Sequence, residues 1–149
     1  ARVRVAHDGP APRRMKVVTA AVDTVNGHPV AVHEAHVDLA PNTRVAVGSL
    51  DMGSFERERT VVYAWLEGHP ETRTWRTLAE PKAMQLTSPS VSGTWDDGML
   101  TVRVEGLALD ACVRGRVHPL LGDEVSVPCP ERPRTCVVRH LGGVAEFSV

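Results

Sequence analysis

The chain has 149 residues, of which 42% are hydrophobic and 23% charged, the balance of a globular protein rather than a disordered one. Its net charge of −1 and sequence pI of about 6.7 argue against a dedicated nucleic-acid surface. Its apolar runs fall far short of the ~20 residues that a membrane helix needs, so neither nucleic acid nor membrane is expected as a partner.

The length suits one ordinary domain or two small sandwiches. Aromatics make up 4% of the chain, so Val, Leu and Ala must fill most of the core. Of the seventeen basic residues only Lys16 and Lys82 are lysines; codon bias is the plainer account, and a use of arginine's bidentate pairing the other. The first residue is Ala, with no signal peptide, and the expectation is a processed chain or one cut from a longer polypeptide. Three cysteines, Cys112, Cys129 and Cys136, are too few and too odd in number for a disulfide framework. Cys129 and Cys136 can pair if their strands face each other. Buried free thiols in a reducing compartment, the cytoplasm, are the favoured reading, because an unpaired Cys behaves as a small hydrophobe.

In chain order, Arg2-Val3-Arg4-Val5 alternates with the period of a half-buried strand. His7 to Pro12 breaks it with turn chemistry. Met15 to Asp23 and Val30 to Leu39 read as strands joined at Asn26-Gly27, a pair that tolerates the positive φ of a type I′ turn. Ala40-Pro41-Asn42 turns the chain again before a strand over Thr43 to Leu50. Arg59 to Leu66 is apolar on both faces, which predicts a central or covered strand. Gly68-His69-Pro70 reads as a turn and Arg73 to Leu78 as the last strand of this half.

Leu78 to Pro89 carries Pro81 and Pro89. Each proline fixes its own φ, removes a donor and biases the preceding residue to extended geometry. The segment therefore connects two sheets without joining either as a central strand. Beyond it, Val91 to Trp95 and Met99 to Glu105 flank Asp96-Asp97-Gly98, a strong hairpin signal. Leu107 to Val117, Glu124 to Val127, Arg134 to Arg139 and Val144 to Val149 read as the remaining strands, about five in this half. No stretch carries a sustained 3.6-residue apolar period with caps. The expectation is an all-β chain of two small Ig-like β-sandwich domains in tandem, 1–80 and 81–149.

No catalytic constellation emerges from spacing. His33-Glu34-Ala35-His36 is one residue short of the zinc-protease spacing, and side chains three apart on a strand point to opposite faces. Two solvated histidines are the plainer reading, and neither metal nor cofactor is expected. Asp96/Asp97 and Asp123/Glu124 are neighbours in sequence, whereas glycoside hydrolysis needs two carboxyls ~5 Å or more apart across a cleft. Tyr63, Trp65, Trp75 and Trp95 are the weak candidates for ligand binding, as a sugar-stacking platform. Core packing is the stronger account of so few aromatics. The arginines at 114, 116, 132, 134 and 139 read as a solvated or interdomain face.

The connector Glu80-Pro81-Lys82-Ala83-Met84-Gln85-Leu86-Thr87-Ser88-Pro89 resembles a Pro-Lys-x-Leu-x-Leu-x-x-Pro segment near the C-terminus of family 2 glycoside hydrolases of the β-mannosidase type. In that family the segment leaves one β-sandwich and enters a terminal Ig-like domain, whose opening hairpin is similar to Val91 to Glu105 here. Gly122 to Val137 is the counterpart of the family's closing segment. Asp123, Pro130 and Pro133-Arg134-Thr135 agree with it, while Glu124, Ser126 and Pro130-Glu131-Arg132 replace its Asn, Phe and Pro-Gly-Glu. Asn26-Gly27-His28-Pro29-Val30 and Ala40-Pro41-Asn42-Thr43 are similar to the preceding sandwich.

The family's acid/base and nucleophile glutamates lie in an upstream (β/α)₈ barrel and have no counterpart in these residues. The resemblance thus implies a non-catalytic accessory module. Its partners would be the catalytic barrel and other domains of a parent hydrolase acting on terminal β-mannosides. A carbohydrate-binding module and an Ig-like interaction module are the alternatives.

Overall fold

The computed structural model describes residues 2–149, with Pro119 described by its backbone alone. It is all-β: the strands run β1 (Arg2–His7), β2 (Arg13–Asp23), β3 (Pro29–Leu39), β4 (Thr43–Ser49), β5 (Thr60–Leu66), β6 (His69–Thr77), β7 (Ser90–Asp96), β8 (Met99–Glu105), β9 (Leu107–Val113), β10 (Arg116–Leu121), β11 (Glu124–Pro128), β12 (Thr135–His140) and β13 (Gly143–Ser148). Short 3₁₀ turns at Arg57–Arg59 and Pro81–Ala83 are the helical elements among the described residues. The chain divides into two compact units, Ala1–Asp23 with Pro29–Met84, and Thr24–His28 with Gln85–Val149.

In the first unit β1 pairs with β4, and a second sheet has the order β3-β2-β5-β6. All pairings are antiparallel. Central strands β2 and β5 are buried on both faces from Val17 to Val22 and from Thr60 to Ala64, as the two-faced apolar sequence of β5 requires. Val17, Val37 and Leu39 form a core against which Val3, Val5, Met15, Val45, Val47 and Leu66 pack. Strand alternation accounts for this set, since residues two apart share a face.

The second unit stacks a β11-β8-β7 sheet and a β10-β9-β12-β13 sheet. Their inner faces meet at Leu100, Val102 and Val104 of β8, Ala111 and Val113 of β9, and Cys136 and Val138 of β12. Each fully buried Val or Leu in such a core contributes about 1.5–3 kcal/mol of transfer free energy.

Four turns decide the connections. Asp97 and Gly98 have φ of 41° and 76° between the paired residues Asp96 and Met99, the backbone of a type I′ hairpin. Arg114 and Gly115, at 48° and 78°, make a second such turn between Val113 and Arg116. The single strand expected from Leu107 to Val117 is therefore two, β9 and β10, which brings this half to seven strands. Arginine seldom takes positive φ, so its place in the turn gave no warning.

Asn26-Gly27 does not make the expected two-residue turn. The strands part at Asp23 and resume at Pro29, Asn26 accepts a bond from the His28 N–H through Oδ1, and only Gly27 of the pair has positive φ. The expected turn at Gly68-His69-Pro70 is likewise displaced. Leu66 pairs with His69, so Glu67-Gly68 turns the chain and His69-Pro70 opens β6. An edge strand tolerates that proline, because its missing N–H faces outward.

Candidate functional site

The four candidate aromatics fall into two groups. Tyr63 and Trp65 lie two apart on β5, and Trp75 on β6 stands directly opposite Tyr63, so the three share one face. Tyr63 is 0% exposed and offers no open ring face. Trp65 and Trp75 are half-buried, and the Arg73 guanidinium lies 5.6 Å from the centroid of the Trp65 ring, within cation–π range. Trp95 belongs to the second unit. It packs against that unit's core and donates from Nε1 to the Cys129 carbonyl at 2.7 Å.

Two clefts in the first unit adjoin these indoles. One, of about 220 Å³, is bordered by Val3, Val5, Trp65, Leu66 and Thr72. The other, of about 320 Å³, is bordered by Arg2, Arg4, Trp75, Arg76 and Leu78. Their walls are apolar, hydroxylic and cationic, and neither is lined by a carboxylate. Such walls can hold a ring or an extended chain. They supply no acid/base pair of the kind glycoside hydrolysis uses.

The remaining candidates disperse. His33 pairs in register with Thr19 and His36 with Lys16, so the two imidazoles point to opposite faces of β3. Among the described residues no group of three or more His, Cys, Asp or Glu side chains is placed to hold a metal ion. Asp97 serves its turn. Asp123 accepts the Leu121 N–H at 2.7 Å, and Glu124 binds Arg103 at 2.8 Å. Lys16 bridges Glu34 and Glu67 at 2.9 and 2.8 Å; its hydrogen bonds to Glu34 and then Glu67 raise its pKa. The three cysteines are free. Cys129 and Cys136 lie in one core, where burial foremost pushes the Cys136 thiol up.

Sequence reading passed over His118 and His140. His140 is buried and His118 half-buried, and burial lowers the pKa of each. The legible signal was that His140 continues the buried alternation of Cys136 and Val138.

No protein-family model matches the sequence, and no curated protein matches it. Solved structures do. A β-D-mannosidase from Dictyoglomus thermophilum aligns with 99% of this chain at a TM-score of 0.68 and 13% identity. Nearly the whole chain carries the fold of a stretch of a β-mannosidase. An exo-chitosanase from Amycolatopsis orientalis, in complex with PNP-β-D-glucosamine, aligns over the same 99% at a TM-score of 0.60 and 12% identity. The chain spans 20% of the first protein and 25% of the second. The fold likeness agrees with the resemblance carried by the connector from Glu80 to Pro89.

Proposed function

We propose that this chain is a non-catalytic C-terminal accessory region of a β-mannosidase-like glycoside hydrolase, two β-sandwiches that support a catalytic barrel. The observation that carries the reading is the fold likeness of 99% of the chain to one fifth of a β-mannosidase. Two features support it. The clefts beside Trp65 and Trp75 have no carboxylate in their walls, and the pairs Asp96/Asp97 and Asp123/Glu124 sit at hairpin and strand ends. Hydrolysis needs a proton donor and a second carboxylate held across a sugar-sized cleft, and in this reading a barrel outside these residues supplies them. The reading frame upstream of the Ala1 codon tests this. It should encode a (β/α)₈ barrel with two glutamates at the C-terminal ends of its strands, and a frame without one overturns the proposal.

A second reading, a carbohydrate-binding module, draws on one specific observation: two half-buried indoles, Trp65 and Trp75, each border a cleft. Calorimetric titration with manno-oligosaccharides separates the two. Saturable binding that is lost in Trp65→Ala or Trp75→Ala favours the binding module, and no heat of binding favours the accessory region.

A further inference from the structure

The inner face of the four-stranded sheet in the second unit carries two imidazoles in one cross-strand row. His118 on β10 is paired with Ala111 on β9. Arg139 on β12 is paired with Cys112, so the next residue, His140, stands beside Ala111 from the other side, where the Leu141 N–H donates to the Leu109 carbonyl at 2.9 Å. Directly opposed residues share a face, and Ala111 is 0% exposed in the core. His140 shares its face with buried Val138 and Cys136 and is itself 9% exposed. Two strand spacings put the His118 and His140 backbones about 10 Å apart with the smallest core side chain between them.

Both rings end in an Nε2 that is buried and has no hydrogen-bond partner among the described residues. The other nitrogen of His140 is committed: Nδ1 accepts the N–H of Gly142 at 3.2 Å, inside the Leu141-Gly142 turn that links His140 to its partner Gly143. That bond requires Nδ1 to be unprotonated and places the proton of the neutral ring on Nε2. Protonation turns the acceptor into a donor that faces another donor, and it puts a charge where no partner waits.

We propose that His118 and His140 form a pH-responsive latch on this sheet, closed while both imidazoles are neutral and released when they are protonated. The surroundings favour the neutral state. The charged group acting on His118 is Arg116, two residues away on the same strand, and it opposes a second positive charge. The inward residues around them are apolar, among them Val113, Val138, Ala145, Val102 and Val127. The one other titratable group on the inner face of β12 is the Cys136 thiol. Asp110, Arg139, Glu146, Arg103 and Glu124 are exposed, and Asp123 is engaged by the Leu121 N–H. Among the described residues no carboxylate acts on either ring to stabilise a cation there.

The sign follows. Burial lowers both folded-state pKa values below the ordinary histidine value of 6.5. As the pH falls through that ordinary value, the unfolded chain takes up protons that the folded chain excludes. Stability is full above it, is lost on acidification, and levels off once the folded-state pKa values have been passed.

The test is thermal unfolding of the 149-residue chain at stepped pH between neutral and mildly acidic, as the natural sequence, as His140→Asn, as His118→Gln and as the double variant. Asn at 140 keeps an acceptor for Gly142 and removes the titrating ring. The midpoint of the natural chain should drop on acidification, each variant should flatten the drop, and the double variant should lose most of it. An undiminished drop in the double variant overturns the latch. Should a variant fail to fold, NMR titration of the imidazole Cε1–H signals of the natural chain decides. The signals of His118 and His140 should titrate below the ordinary histidine value of 6.5, and titration of both at or above that value overturns the proposal.

Discussion

The indole of Trp95 donates from Nε1 to the backbone carbonyl of Cys129 at 2.7 Å, tying β7 to the segment that follows β11. Cys129 is 0% exposed, its N–H donates to the Gly98 carbonyl at 2.7 Å, and its Sγ donates to the Glu131 carbonyl at 3.0 Å. Trp95 is thus an anchor of the second sandwich. Trp95→Phe keeps an aromatic ring but leaves the carbonyl without its donor, a loss of about 1–3 kcal/mol. Urea unfolding should show a lower midpoint with an unchanged slope, and an unchanged midpoint would remove the anchor.

Two glycines of the β7–β8 hairpin should resist substitution for different reasons. Gly98 has φ of +76° and open space where a Cβ would go, the nearest atom being the Pro130 Cα at 3.9 Å. Gly98→Val should cost on the order of 1 kcal/mol or more through backbone strain. Gly93 lacks positive φ, but a Cβ there would lie 2.6 Å from Phe147 Cε2 and 2.7 Å from the Thr101 carbonyl oxygen. Gly93→Ala should cost about 1–3 kcal/mol by overpacking. Pairing it with Phe147→Leu should recover part of the loss, whereas the same replacement beside Gly98→Val should recover nothing. Thermal midpoints of the four variants check both statements.

The strands were legible because period-2 alternation needs only the local sequence, and the Asp97-Gly98 turn because its residue types name its geometry. Arg114-Gly115 has the same backbone with a residue that does not advertise it. Asn26-Gly27 shows the reverse, a hairpin signal overridden by tertiary bonds. Thr24 and Thr87 draw the 24–28 loop away from a tight turn, with hydroxyls donating to the carbonyls of Gln85 and Val25 at 2.5 and 2.6 Å, and Gly27 is fixed against Gly106, whose Cα would lie 2.9 Å from an added Cβ. Such partners are sixty to eighty residues apart in sequence, beyond any local pattern. The aromatics posed the same difficulty: composition cannot distinguish fully buried Tyr63 from half-buried Trp65 two residues later.

That override is itself testable. Thr24 is 1% exposed, and its hydroxyl satisfies the Gln85 carbonyl in the connector. Thr24→Val keeps the shape and removes the donor, so about 1 kcal/mol or somewhat more should be lost. Hydrogen exchange should also quicken around Gln85 to Thr87. Unchanged exchange there would mean that the loop is held by packing alone.

The most direct measurement of the functional account is release of aryl alcohol from aryl β-mannoside and aryl β-glucoside, by the isolated chain and by the complete polypeptide that contains it. The account predicts no release above buffer from the isolated chain and turnover of the mannoside by the complete polypeptide. Turnover by the isolated chain that disappears on substitution of Asp96, Asp97, Asp123 or Glu124 would contradict it.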